Sequence, residues 1–362
     1  MIRVFGQLGE EIILPRVRLI YDRLPLLNWR SKRYAASEVR KIRHAIKSKV
    51  SEYVIVFDCK VVGFAFGSLL NSIAVARYLS ANGIFVRMEF IYPEEPPDNG
   101  LTLPSEVDGS VKEFIRVAET LLNPKQASVN LLSHTELEEQ LGMIDRNALL
   151  FEDFTRDRRP YFRDVFNVFN GLMARAPVAI QDRTLFSSDD FKAHLPKQFP
   201  PEPYVSWHCR YSPRGVDIGR QTLEAEFLES YRYIRKRFWD HNIVIISDSR
   251  GCEHYAELAK QLQVVDLLFS KEYSSDFLGD AALIMNSRYF YWFRGGGIGN
   301  IALLSRMPFE MIGPVMNEIM WDRERLTSWQ GDSQHWILLE KHQFVEDRSQ
   351  DLKMIGSAWK DE

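Results

Sequence analysis

The chain has 362 residues, with 46 Lys and Arg against 49 Asp and Glu and a formal net charge of −3 at pH 7. A hydrophobic fraction of 45% with 12% aromatics excludes a disordered chain, and the near-balanced charge argues against a general nucleic-acid binder. The length exceeds what one hydrophobic core usually holds, so two domains are expected.

Taken from the N-terminus, an apolar stretch at Ile12–Leu14 and a Pro-marked turn lead into a basic helix over Ser37–Lys49, with Ser37 as its N-cap. Between Arg16 and Lys49 about a dozen Lys and Arg face two acids, so residues 30–49 are either a solvated face or a point of contact with a phosphorylated acceptor or, peripherally, with an anionic membrane. Tyr53–Asp58 is a continuous apolar strand. It is followed by Gly63, Gly67 and a helix that Gly83 ends, and then by the strand IFVRMEFIY, which makes a βαβ unit and hence a parallel α/β sheet. Gly63 and Gly67 allow close backbone approach at a helix start, but they do not form the dinucleotide fingerprint G-x-G-x-x-G. Pro93–Pro104 reads as a turn-rich loop where an acceptor could enter. Helices follow over Val111–Leu122 and Thr135–Leu141, then a packed aromatic helix preceded by the exposed cluster Arg156, Arg158 and Arg159.

The prolines between Asp182 and Pro203 mark a boundary, with the linker placed at 191–203. Beyond it the pattern restarts. A strand from Tyr204, a helix over Thr222–Trp239, a strand over Ile243–Ser247, a helix over Glu253–Leu262, the strand VVDLLF, a helix over Ser275–Met285 and the strand Tyr289–Phe293 follow one another with short links. RGGGIGN then feeds a helix over Ile301–Arg306. The expected fold is α/β, two Rossmann-like domains facing an interdomain cleft: 1–190, then 204–314 after the linker, with a helical tail at 315–362 packing back on the first domain.

In an open parallel sheet, ligands bind beyond the carboxyl ends of the strands. His208 and Arg210 lie at the end of the first C-domain strand, on one face of it by alternation, with Arg214 and Arg220 on the loop that follows. Guanidinium forks suit bidentate binding of phosphate oxygens, so this stretch reads as a diphosphate site. Asp248 and Ser249 follow the second strand, where they either contact a base or ribose or cap the next helix. Asp276 reads as a helix cap, and Asp280 as a residue on a helix face. Arg294, Gly295, Gly296, Gly297, Gly299 and Asn300 form a glycine-rich turn into a helix, whose backbone N–H groups suit an anion.

The stretches SWHCR, IVIISDS, DAALIMNSRYFYWFRGGGIGNIALLSRMPF and FGSLLNSIAVARYL resemble the GT-B glycosyltransferases, especially the fucosyltransferase-like group with its H-x-R motif. The resemblance covers roughly residues 53–313 and is carried by pattern rather than by long identities. It implies a nucleoside-diphosphate sugar as donor, a GDP-sugar favoured, held mainly by the second domain, with Arg210 on the diphosphate and His208 orienting phosphate or acceptor. It also implies a glycan-type hydroxyl acceptor approaching the first domain near Gly67, Ser68 and Asn71, and no obligatory metal or other cofactor. Tyr211 stands where that group often has a second arginine, and no general base is assigned, Asp58 and Glu89 having no distinguishing context. A non-catalytic binding subunit of the same fold and a nucleotide-sugar epimerase are the rival readings.

Three scattered cysteines, Cys59, Cys209 and Cys252, give neither a disulfide framework nor a zinc spacing, which fits a reducing, cytoplasmic setting. No stretch reaches the roughly 20 apolar residues that span a bilayer.

Overall fold

A computed structural model of the chain describes residues 25–62, 64–93, 95, 104–142, 144–145, 148–151, 162–211, 222, 224–293 and 297–312. Helix α1 spans Pro25–Ser48, so Ser37 sits inside it and caps nothing. Ala35, Val39, Ile42 and Ala45 recur at the helical period and are buried. Strand β1 (Glu52–Asp58) is buried from Tyr53 onward, as a central parallel strand covered on both faces must be. It is followed by α2 (Cys59–Val62), α3 (Phe66–Ala81) and β2 (Phe85–Ile91). Gly83 stands between α3 and β2 at φ +83°, the left-handed conformation that glycine adopts without a Cβ penalty.

Next come α4 (Val107–Leu121), β3 (Ala127–Leu132), α5 (His134–Leu141), β4 (Leu149–Phe151), α6 (Phe162–Met173) and α7 (Val178–Thr184). Val107, Val111, Phe114, Val117 and Leu121 form the buried stripe of α4. Helix α5 begins with a reciprocal capping box between Ser133 and Glu136. The first sheet has the order β3-β2-β1-β4, and every pair is parallel. Strands β3 and β4 are absent from the sequence reading. The first is an edge strand with Ala127 alone buried, and the second is only three residues long, so neither shows the apolar run that marks a central strand.

A 3₁₀ helix at Ser188–His194 carries the chain toward the second sheet, with Phe191 fully buried. The stretch expected to be a linker therefore begins inside a packed turn. The second sheet is built from β5 (Tyr204–His208), β6 (Asn242–Ile246), β7 (Leu267–Phe269), β8 (Phe290–Phe293) and β9 (Phe309–Ile312). Its helices are α8 (Glu224–Arg237), α9 (Ser249–Gln261), α10 (Phe277–Asn286) and α11 (Gly299–Leu303). The order β7-β6-β5-β8-β9, parallel throughout, is that of a doubly wound sheet, and strand order reverses beside β5. Strand β9 was not expected because Glu310 interrupts its apolar pattern. Glu310 is fully buried and accepts bonds from Arg237 Nη1 and Tyr233 Oη, both at 2.7 Å, which is how a charge is tolerated there.

The two α/β sheets expected from the sequence are thus present. They share one continuous hydrophobic core that runs from Val39 and α3 to Phe290 and Trp292. Ile12–Leu14, Gly63, the Arg156, Arg158 and Arg159 cluster, most of the 93–104 loop and the tail from residue 315 lie outside the described residues.

Candidate functional site

Alternation along β5 sends Val205, Trp207 and Cys209 into the packing under α8 and α9 and leaves Tyr204, Ser206 and His208 on the other face. On that second face, Tyr204 Oη donates to Leu283 O at 2.8 Å, and Ser206 Oγ meets Ser287 Oγ at 2.8 Å. His208 continues this line at the carboxyl end of the strand, is 6% exposed, and pairs in the sheet with Trp292 of β8. It therefore stands at the switch point between β5 and β8, where an open α/β sheet leaves its crevice.

The strand ends at His208, so Arg210 is placed by a different device from the strand alternation the sequence implies. Arg210 N donates to Thr222 Oγ1 at 3.1 Å, and Thr222 N donates back to Arg210 O at 2.9 Å. Tyr255 Oη, from α9, donates to the same carbonyl at 2.5 Å. This clamp joins the two ends of the 211–221 segment at the carboxyl edge of the sheet. Arg214 and Arg220, which the segment carries, lie outside the described residues. Tyr211, where a second arginine was looked for, stacks on His254 at 4.5 Å between ring centroids. It serves as a packing residue against α9.

At the end of β6, Ser247 is buried and its Oγ donates to Cys209 O at 2.8 Å, tying neighbouring strand ends together. Asp248 is the N-cap of α9 and accepts from Gly251 N at 2.6 Å, the capping alternative left open by the sequence. Asp248 and Ser249 are both exposed at that edge. Asp276 caps α10 as expected, accepting from Gly279 N at 2.8 Å.

Within the glycine-rich turn, Gly297 and Gly299 have a packing role in the structure. Arg294, Gly295 and Gly296 lie outside the described residues. A Cβ at Gly297 would stand 2.4 Å from Gly67 N and 2.5 Å from Phe66 Cβ, and one at Gly299 would lie 2.0 Å from the Trp292 ring. Both positions are glycine because backbone and ring come this close. Asn300 Nδ2 donates to Gly67 O at 3.1 Å and to Asn71 Oδ1 at 3.0 Å, and Asn300 N is bonded to Gly297 O at 3.1 Å. Ser68 and Asn71 are buried at the start of α3. Gly67, Ser68 and Asn71 are thus brought together with Gly297, Gly299 and Asn300, as the seam between the two sheets. Helix α11, at five residues, is too short to carry much of a macrodipole toward an anion.

The same seam continues outward through Phe66 and Phe277, whose rings stack 3.9 Å apart at 5°. Arg116 and Asp276 close its rim with a 2.8 Å ion pair. Asp58 sits at the carboxyl end of β1, 6% exposed, its Oδ1 accepting from Lys60 N at 2.9 Å. Glu89, the other unassigned acid, lies within β2 and is paired with Arg87 Nε at 2.7 Å. Of the two, only Asp58 lies at a strand end.

Sequence reasoning missed the Lys271–Asp280 pair, 2.6 Å apart and largely buried beside the end of β7. The signal was available: a lysine two residues after a strand, and an acid in the first turn of an otherwise apolar helix. Burial outweighs the lysine and raises the Asp280 carboxyl from 3.8 to about 6. Because the folded value is the higher, its contribution to stability is complete below about pH 4 and is lost as pH rises through about 6. Asp280→Asn, neutral at every pH, should lack this term. The stability of the parent relative to the variant should therefore fall by about 2 kcal/mol between pH 4 and 7, read by denaturant unfolding at each pH. The thiols of Cys59, Cys209 and Cys252 are free, buried and pushed upward by that burial.

Two parallel α/β sheets thus meet at their carboxyl edges, with His208 and Arg210 beside the meeting point. No family model matches the chain, and no curated protein matches it. Solved structures similar to it include an E. coli heptosyltransferase (WaaC) with ADP, at TM-score 0.39 and 10% identity over 73% of this chain and 88% of that one. A glycosyl transferase family 9 structure from Veillonella parvula gives 0.43 and 8% over 86% and 98%. A Methanocaldococcus jannaschii UDP-GlcNAc 2-epimerase in complex with UDP-GlcNAc and UDP gives 0.32 and 11% over 72% and 83%. Likeness at this level assigns no activity to the chain.

Proposed function

We propose that this chain is a GT-B glycosyltransferase that moves a sugar from a nucleoside-diphosphate sugar to a hydroxyl acceptor. One observation carries the reading: His208 and the clamped Arg210 stand at the switch point of a doubly wound sheet whose carboxyl edge faces a second parallel sheet. That is where such sheets bind phosphorylated ligands. In this reading Arg210, with Arg214 and Arg220 on the loop it anchors, neutralises the diphosphate as charge grows on the leaving group. His208 orients phosphate or acceptor. Ser249, and Asp248 through the carboxylate oxygen not used in capping Gly251 N, contact base or ribose from their exposed position. Asp58, at the facing strand end of the first sheet, is the acid best placed to receive the proton of the acceptor hydroxyl. Gly297 and Gly299 contribute the close fit of the seam beside the proposed diphosphate.

A thermal-shift panel of ADP, GDP, UDP and CMP with their sugars tests the reading. One nucleoside diphosphate at about 100 times its dissociation constant should add about 2.7 kcal/mol to stability and raise the melting temperature by several degrees. Incubation of that donor with and without hydroxyl acceptors then separates transfer, which needs an acceptor, from epimerisation, which does not. No shift with any member of the panel would favour a non-catalytic subunit.

A further inference from the structure

Helix α1 carries seven Lys and Arg against one acid, Glu38, in a chain whose total charge is −3. Glu38 is buried and paired with Lys41 at 2.8 Å, and Arg43 is anchored by donating to Gly171 O at 2.7 Å. What remains outward on the described part of the helix is Arg40, His44 and Lys47, spaced to lie on one face, and Lys49 follows just past its end, all four exposed. The opposite stripe of Ala35, Val39, Ile42 and Ala45 is held in the core, so this basic face is fixed to the protein. The Arg43 bond also ties the end of α6 to α1, and the turn that follows exposes Arg175, Pro177 and Val178, the valine at 63%.

We infer that this face docks the protein on an anionic phospholipid surface. A fixed face carrying Arg40, Lys47 and Lys49, with the one acid of the helix buried and paired, complements the negative potential of such a bilayer, and the exposed Pro177 and Val178 of the turn tied to α1 can enter the headgroup layer at little cost. A nucleic acid fits less well. The rest of the chain is net acidic and repels an extended polyanion. The contact is electrostatic and reversible, because the helix keeps its apolar stripe in the core.

The test is co-sedimentation of the full chain with phosphatidylcholine vesicles and with vesicles carrying about a third phosphatidylglycerol. Binding to the anionic vesicles alone, with release at about 0.5 M salt, is expected. The triple variant Arg40→Glu, Lys47→Glu and Lys49→Glu should lose at least about tenfold in partitioning, with an unchanged melting temperature. Equal recovery with both vesicle types, or salt-insensitive binding, would overturn the inference without reference to the variant. So would a folded triple variant that still sediments, or binding to homopolymeric RNA with no binding to vesicles. None of these residues touches the proposed donor site, so their outcome stands apart from the nucleotide panel.

Discussion

On the proposed glycosyltransferase reading, Arg210→Ala should lower sugar transfer by about 10²–10³-fold and weaken nucleoside-diphosphate binding at least about tenfold, while leaving the melting temperature of the unliganded protein in place. The separation follows from how the residue is held. The bonds that clamp this corner, to Thr222 and from Tyr255, use the Arg210 backbone N and O, so removing the side chain leaves them intact. The side chain is half-buried at the carboxyl edge of the second sheet, where a developing diphosphate charge would be met by a preorganised cation. Arg210→Lys keeps the charge but gives up the planar fork, and should recover part of the binding and less of the rate. Calorimetry for the diphosphate and a product assay read the two quantities. Unchanged binding in a folded Arg210→Ala protein would remove Arg210 from the site.

Much of the fold was legible because central parallel strands announce themselves. Tyr53–Asp58, IFVRMEFIY, IVIIS and YFYWF are near-continuous apolar runs, and each became a buried strand within a residue or two of its expected bounds. The edges were illegible for the same reason. Strand β3 reads polar because only Ala127 is buried, and β9 contains Glu310, whose partners Arg237 and Tyr233 lie more than 70 residues away. Spacing along a strand placed His208 correctly at its end. It could not show that the strand stops there and that Thr222, twelve residues on, fixes Arg210. The seam was the least legible part. Gly297 and Gly299 look like a ligand loop when read alone, since a glycine cluster between strand and helix has two possible causes, and only the three-dimensional arrangement reveals Phe66, Gly67 and Trp292 as the atoms that demand them.

Those two causes make opposite predictions. If the glycines were there to admit a ligand, alanine would fold normally and lose nucleotide. The packing instead requires that Gly299→Ala force its methyl into the Trp292 ring, at 2.0 Å before relaxation. The indole is 3% exposed and wedged in the shared core, so it cannot swing out, and the strain must pass to β8 and to α11. Overpacking of this kind costs about 1–3 kcal/mol, and with the ring unable to yield the upper end is expected, which the roughly 1 kcal/mol gained from alanine's helix propensity does not offset. Gly297→Ala meets backbone, Gly67 N at 2.4 Å, and relief requires the turn to move away from the start of α3. That movement would also strain the bonds from Asn300 to Gly67 and Asn71, which hold the two sheets together at this point. Both variants should therefore melt several degrees below the parent in the absence of any nucleotide. Gly297→Ala should in addition expose the seam to proteolysis, because it opens the contact between the sheets. Asn300→Ala, which removes the bridge without adding volume, should cost less, about 1–2 kcal/mol, since Asn71 loses a buried partner but nothing is forced apart. If Gly299→Ala and Gly297→Ala instead melt with the parent and lose nucleotide binding alone, the turn is a ligand loop and the close packing is incidental to it.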